Sequence, residues 1–475
     1  MALGVLHSPM SKNWLTPDRD QLLLLPPSVQ EWLPENHLAR YVADVVERLD
    51  LTAITHKYAA RHRGTQPYHP ALMVALLFYG YSTGVMSSRK IERATHDSVA
   101  FRFLAGGHHP DHNTLASFRK DHLSELSALF LQILLLAREL GFQQVGTVAI
   151  DGTKVKANAS KHAAVSYKRA KEIEGKLRTE IARLMEAAEG ADNTPLAEGT
   201  DIPAEIARRE KRLEKIVQAQ RAIEERHGRE ALHEHRAALE ENLRETEEAV
   251  KKKERPPDPP APPSLVPADA MQHNFTDAES RIMPDKGGFS QAYNAQLSVD
   301  VETRLIVGHH VSQAANDKRE LLPALGAIAE ELGAPAAALA DAGFFSAANL
   351  EKAAASHPRT DLLIAPGRMK HHASLEDRLG PPAEGPAPPG ATPAEAMRHK
   401  LKTQAGHALY ALRKSTVEPV IGIVKEALGF RRFLLRGAEK VRGESGLVCL
   451  GYNLQRMWWL GTPARAEKRP SKTHL

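Results

Sequence analysis

Apolar positions recur at helical spacing through the first third of the chain. In NHLARYVADVVERLD, Leu38, Val42, Val45, Val46 and Leu49 fall on one helical face. Pro70 stands where a helix begins in HPALMVALLFYGY. SSRKIERATHDSVAFRFLAG predicts two short helices with a polar break over residues 95–98. PDHNTLASFRKDHLSELSALFLQILLLAREL predicts one long amphipathic helix capped by Asn113 or Thr114. Residues 1–145 thus read as a helical domain.

From residue 146 the pattern changes. TVAID is an apolar run ending at Asp151, followed by Asp-Gly and then the alternating TKVKANAS. GFSQAYNAQLSV and RLIVGHHVS read as two further strands joined by turn residues 300–303. KRELLPALGAIAEEL is helical, AAALADAGF a buried strand, SAANLEKAAAS a helix capped by Ser346, and TDLLIAP a short strand. Three strands in succession, then alternating helices and strands, predict a mixed α/β sheet.

Residues 166–254 interrupt that sheet. Ile173, Leu177, Ile181 and Leu184 line one helix face; Leu213, Ile216, Ile223, Leu232, Leu239, Leu243 and Val250 line a longer one. Charged neighbours three or four apart fill the rest, which predicts an inserted, coiled-coil-like helical hairpin. The expected organisation is a helical N-terminal domain (1–145), a sheet core (146–165 and 270–366), the hairpin (166–254) and a Pro-rich linker (255–269). A low-complexity linker (367–399), a C-terminal helical part of the core (400–462) and a basic tail (463–475) complete it.

A chain of 475 residues exceeds one ordinary core, so several domains are expected. Its formal charge of +5 suits local basic patches rather than a uniformly charged coat. A single cysteine, Cys449, excludes an intrachain disulfide framework and Cys-rich metal centres, and suggests a reducing, cytoplasmic setting. The N-terminus lacks the pattern of a secretory signal, and the longest apolar runs are too short to span a bilayer, so no membrane association is expected. Gly-rich phosphate loops, dinucleotide fingerprints and His-Glu-x-x-His are absent, leaving ATP-driven and nicotinamide chemistry without support.

Three acids stand out by placement. Asp151 and Asp341 end apolar strand runs, and Glu418 opens the helical pattern STVEPVIGIVKEAL. Carboxylates on two strand ends and one helix suit a hard cation that also meets phosphate oxygens. Each has a plainer reading. Asp151 could open an Asp-Gly hairpin turn. Asp341 could be a strand-breaking loop residue. Glu418 could close a capping box with Ser415. Tyr410, Arg413, Lys414 and Lys425 place phosphate donors near Glu418, and Lys425 shares its helix face; solvated helix charges would look the same. Arg89, Lys90, Arg93, Arg102, Arg119 and Lys120 suit a helix-turn-helix surface or an ordinary basic face. Asp285, Lys286 and Asp317 flank the strands without a compelling role. The His-His pairs at 108–109, 309–310 and 371–372 lack a third ligand at helical spacing.

These motifs resemble insertion-sequence transposases with an Asp-Asp-Glu triad, in particular insertion-sequence family 1182 of the Tyr-Arg-Glu-Lys signature group. GTQPYHPALMVALLFYGYSTGVMSSRKIERATHDSVAFRFLAG and PDHNTLASFRK resemble that family's N-terminal domain. AIDGTKVKANAS, ADAGFFSAANL and YALRKSTVEPVIGIVKEALGFRRFLLRG resemble its three acid motifs, and LVCLGYNLQRMWW its C-terminal helix. The resemblance implies an α/β protein: an RNase H-like mixed-sheet catalytic core, an all-α N-terminal domain and the inserted helical hairpin. It makes Asp151, Asp341 and Glu418 the catalytic, metal-holding triad and Lys425 the signature lysine. The spacing departs in one place: Arg413 keeps the interval from Tyr410, but Lys414 keeps the interval to Glu418, so the signature cation is either. The implied activity is Mg²⁺- or Mn²⁺-dependent DNA cleavage and strand transfer, with the N-terminal helices on terminal inverted repeats. The implied partners are inverted-repeat and target DNA and a second copy of the chain. A catalytically silent sequence-specific DNA-binding protein, or an RNase H-like nuclease without joining activity, would carry the same landmarks.

Overall fold

The structure, a computed structural model, describes residues 28–59, 67–142, 145–190, 201–285, 288–367 and 382–461. The basic tail, Lys286 and the 371–372 histidine pair lie outside the described residues.

The N-terminal part is helical, with α1 (Val29–Trp32), α2 (Leu38–Glu47), α3 (Thr52–Ala59) and α4 (Pro70–Ser82). It continues through α5 (Ser88–Asp97), α6 (Val99–Leu104), α7 (His112–Asp121) and α8 (Leu123–Glu139). Pro70 takes the first turn of α4, where its missing N–H costs nothing. The single long helix expected at 110–140 is two: α7 ends at Asp121, and His122 leaves helical geometry before α8 begins. Its cap is Asp111 rather than Asn113 or Thr114, accepting from the N–H groups of both.

The sheet is built from β1 (Thr147–Lys156), β4 (Arg281–Asp285), β5 (Gly288–Asp300), β6 (Ile306–Ser312), β7 (Ala337–Ala340) and β8 (Asp361–Ile364). β5 runs antiparallel to β1 on one side and to β4 and β6 on the other; β7 and β8 continue from β1 in parallel. β1 is therefore central, with partners on both edges. The ladder with β5 overrides the Asp-Gly turn: β1 runs straight through, with Asp151 opposite Leu297 and Gly152 opposite Gln296. β4 was not expected. Its Pro284 cannot donate to a ladder, which suits the sheet edge where it lies.

A two-stranded ribbon, β2 (Ala164–Ser166) with β3 (Gln272–Asn274), sits at the root of two long helices, α9 (Tyr167–Gly190) and α10 (Ile202–Lys252). These pack antiparallel: Tyr167 Oη meets Glu224 at 2.6 Å, and Arg209 meets Glu180 at 2.9 Å. α10 has 51 residues to the 24 of α9, so α9 covers only its first half. Ile216 and Ile223 are buried accordingly, whereas Leu232, Leu239, Leu243 and Val250 are exposed. The second half lies along the core instead, with Arg244 paired to Glu351 and Glu234 to Arg319. The Pro-rich segment returns beside it, accepting from Asn242 and His227 through the Asp258 and Ser264 carbonyls.

After β7, α12 (Ala347–Ser356) is capped by Ser346 as expected. α11 is short (Leu321–Gly326). The C-terminal part holds α13 (Pro393–Lys402), α14 (Gln404–Gly422) and α15 (Ala438–Gly461). α13 begins inside the segment expected to be a linker, because Thr392 and Glu395 form a capping box around Pro393. α15 joins the parts. It packs on α4 and α8, and Asn453 brackets Ile306 of β6, donating to its carbonyl at 2.8 Å and accepting its N–H at 2.9 Å. Phe78, Tyr81 and Leu126 of the N-terminal helices thus share one apolar core with Val148, Ile306 and Leu450.

Candidate active site

The parallel register sets the first two acids side by side. Ile150 is opposite Ala340, and Asp151 and Asp341 are the next residue on each strand. Adjacent strands lie about 4.8 Å apart, so the two carboxylates leave neighbouring backbones, Asp341 just past the end of β7 and Asp151 midway along β1. Each accepts one N–H: Asp151 that of Gly152 and Asp341 that of Gly343, both at 2.8 Å. Burial first, and the Asp341 charge second, push the Asp151 carboxyl up to about 6; the Arg413 guanidinium pulls the other way without cancelling them.

Glu418 does not open a helix. α14 runs unbroken from Gln404 to Gly422, and Ser415 donates to the Leu412 carbonyl instead of capping. Pro419 sits within the helix, where it removes one backbone hydrogen bond, and a π turn follows at Ile423–Ala427. α14 crosses β1 and carries Arg413 over the strand ends. Its guanidinium reaches Asp151 at 3.3 Å and Glu418 at 3.4 Å, bridging a strand acid and the helix acid. Glu418 itself remains half-exposed.

The other signature candidates separate. Tyr410 donates to the Ala340 carbonyl at 3.2 Å, beside Asp341, and burial raises its phenol. Lys425 donates to the Lys154 carbonyl at 2.8 Å on β1. Lys414 is exposed beside Arg413. Of the two candidate cations, the geometry brings Arg413 to the acids.

A fourth acid joins from the loop before α11. Asp317 Oδ1 accepts from Gln296 at 2.6 Å and Asn294 at 2.7 Å, and Lys154 lies 3.7 Å away. Its charge also raises Asp151. The sequence held a signal for this: Asn294 and Gln296, two residues apart in β5, face one side and, fully buried, require a polar partner.

Among the described residues no three Asp, Glu, His or Cys side chains stand close enough together to hold a metal ion. Asp151 and Asp341 adjoin, while Glu418 is turned onto Arg413. The donor chemistry nevertheless fits a hard divalent cation: all oxygen, with one carboxyl pushed up by an adjacent negative charge that a cation would offset. Histidine adds nothing here. His109 stacks on His96 and pairs with Thr95, and His309 lies half-buried against Phe130.

In the N-terminal helices Arg89, Lys90, Arg93, Arg102 and Lys120 are exposed. Arg119 is not available to a phosphate: it is buried, donating to Tyr81 Oη at 3.1 Å and the Met86 carbonyl at 3.0 Å. Its place on the inner face of α7 explains the departure.

The class of protein follows from two matches. Residues 27–121 match the family described as Transposase domain (DUF772), and residues 390–458 match the family described as Transposase DDE domain. Together they support a DNA transposase of the Asp-Asp-Glu kind. The second match spans Tyr410, Arg413, Lys414, Glu418 and Lys425; Asp151 and Asp341 lie outside both. No curated protein and no solved structure gives a significant match to the chain. Among the described residues no helix is long and apolar enough to cross a membrane.

Proposed function

We propose that the chain is an insertion-sequence transposase that cuts and joins DNA at Asp151, Asp341 and Glu418, on an RNase H-like core. The observation that carries this is the parallel register placing Asp151 beside Asp341, with α14 bringing Glu418 onto the guanidinium that also holds Asp151. The strand order, with β1, β5 and β6 antiparallel in turn and β7 and β8 continuing in parallel from β1, supports the core assignment. The Tyr-Arg-Glu-Lys signature then falls on Tyr410, Arg413, Glu418 and Lys425, within insertion-sequence family 1182.

Asp151, Asp341 and Glu418 would hold Mg²⁺ or Mn²⁺, which when bound activates water and stabilises a leaving 3′-oxygen. Arg413 keeps Glu418 at the site and offsets the acids until then. Tyr410, anchored on the Ala340 carbonyl, fixes α14 against the end of β7. Lys425 and Lys154 put positive charge along β1 for backbone phosphates, so DNA binding is salt-sensitive. Arg89, Lys90 and Arg93 present the N-terminal helices to the terminal inverted repeats. Two ends are paired by two copies of the chain, acting in the bacterial cytoplasm at the nucleoid.

The test uses duplexes carrying the inverted repeats that flank the coding region. With Mg²⁺, the protein nicks at the repeat and joins the freed 3′-end to a target plasmid. Nicking without joined products would reduce the reading to a nuclease. Neither product, with repeat binding intact, would leave a silent DNA-binding protein.

A further inference from the structure

Beyond the acids, β1 runs on to Lys156 and into a polar groove of about 760 Å³. Its walls include residues 156–161 leaving β1, Asp285 of β4 with Phe289 of β5, and the loop with Arg432 and Arg436. Lys156, Lys161, Arg432 and Arg436 are all exposed along it, and Phe289 is 68% exposed. The one acid in the lining, Asp285, sits 3.1 Å from Lys156, leaving a surplus of positive charge.

The groove is held rigidly. The backbone at Arg432 adds to the end of β1: Lys156 N–H donates to the Arg431 carbonyl, and Phe433 N–H donates to that of Lys156. Phe433 is fully buried between Tyr293 and Phe430. Glu444, buried on α15, accepts the N–H groups of Leu434 and Leu435 at 2.9–3.1 Å. Asn158 donates to the Leu434 carbonyl at 2.7 Å, and Arg436 to the Asn158 carbonyl at 2.9 Å. With the backbone already fixed, gripping a phosphate chain orders only the side chains and not the loop that carries them. An aromatic ring left in water at the same place offers a face on which a base can stack.

From these contacts we infer that this groove binds an unpaired strand of DNA, its phosphates on Lys156, Lys161, Arg432 and Arg436 and one base on Phe289. Base faces are hidden in a duplex, so the exposed ring selects unpaired nucleotides. Lys156 is five residues past Asp151, roughly 17 Å along the strand at 3.4 Å per residue. The groove therefore takes nucleotides beside the cut, and as a substrate site it rests on the transposase reading.

The probe is a fluorescent dT20 oligonucleotide, which needs no knowledge of the repeats, titrated into the full chain by anisotropy at several NaCl concentrations. Lys161→Ala and Arg432→Ala should each reduce the slope of log affinity against log salt by about 0.7. Phe289→Ala should weaken binding roughly 5- to 100-fold with the slope unchanged, and Phe289→Tyr should restore it. Wild-type affinity and slope in a folded Lys161→Ala/Arg432→Ala/Phe289→Ala variant would overturn the proposal. A second readout does not depend on substitution: ultraviolet crosslinking of bromodeoxyuridine-containing dT20 should map to residues 156–161, 288–291 or 431–436, and adducts confined elsewhere would overturn it. Asp151-dependent nicking with unaltered dT20 binding sinks the groove alone. Lost dT20 binding in a protein that never nicks sinks the catalytic reading alone.

Discussion

Gly152→Ala tests the site's construction at one atom. A Cβ on Gly152 would lie 2.5 Å from Gln296 Nε2 and 2.6 Å from Asp317 Oδ1, closer than real Cβ contacts come. Those two atoms are themselves hydrogen-bonded at 2.6 Å, and Gln296 is fully buried, so neither can step aside freely. Alanine over glycine in a strand gains about 0.5–1 kcal/mol. Overpacking costs about 1–3 kcal/mol. Parting a charge-assisted hydrogen bond costs about 1.5–3 kcal/mol more. The losses win, and Gly152→Ala should destabilise by about 2–5 kcal/mol in urea unfolding. Because the displaced groups adjoin Asp151, Mg²⁺-dependent nicking should also fall at least about tenfold at temperatures where the variant remains folded. Gln296→Ala removes one of the two obstacles, so the double variant should lose clearly less stability than the two single losses added together. A neutral or stabilising Gly152→Ala, or strict additivity, would refute the close approach and with it the reason for a glycine after Asp151.

The same contest recurs at Gly451, where α15 meets α4 backbone to backbone: an added Cβ would lie 2.7 Å from the Tyr81 carbonyl carbon and 2.9 Å from the Ser82 nitrogen. The helical gain of about 1 kcal/mol is outweighed by overpacking against groups that cannot rotate away. Gly451→Ala should lower stability by about 1–2 kcal/mol, and a rise in urea midpoint would contradict the packing. His309, half-buried on β6 against Phe130 and Gly446, is pressed by desolvation to about 4 from its ordinary 6.5. Its folded state prefers the neutral ring, so stability present above pH 6.5 is lost as pH falls from there towards 4, by up to about 3 kcal/mol. His309→Gln should remove that part of the pH dependence; an unchanged slope between pH 7 and 4.5 would contradict it.

The places where the sequence pattern misled have physical causes. The runs TVAID and AALAD announce buried strands ending in acids; β7 does end just before Asp341, whereas β1 runs on past Asp151 to Lys156. No run states the register, and the register brings Asp151 to Asp341. The Asp-Gly signal lost because β1 stays paired with β5 as far as Lys156, so a turn at Asp151 would forfeit that ladder from there on. The Ser415–Glu418 capping pattern lost because the helix had already begun at Gln404, and packing on β1 carries it through Pro419. The seam of Leu232, Leu239, Leu243 and Val250 repeats like that of Ile216 and Ile223, yet α9 ends too soon to cover it; periodicity gives a face, not the length of its partner. Arg119 looked like surface charge because a buried arginine and an exposed one are the same letter.

Mn²⁺ binding, followed by electron paramagnetic resonance at pH 7.5, tests the convergence of the three acids most directly. Asp151→Asn, Asp341→Asn and Glu418→Gln should each weaken Mn²⁺ binding at least about tenfold in a protein that still retains DNA. Glu418→Gln binding Mn²⁺ as tightly as the parent would mean that the helix acid never leaves Arg413 to join the strand acids, and the account of a shared cation site would fail.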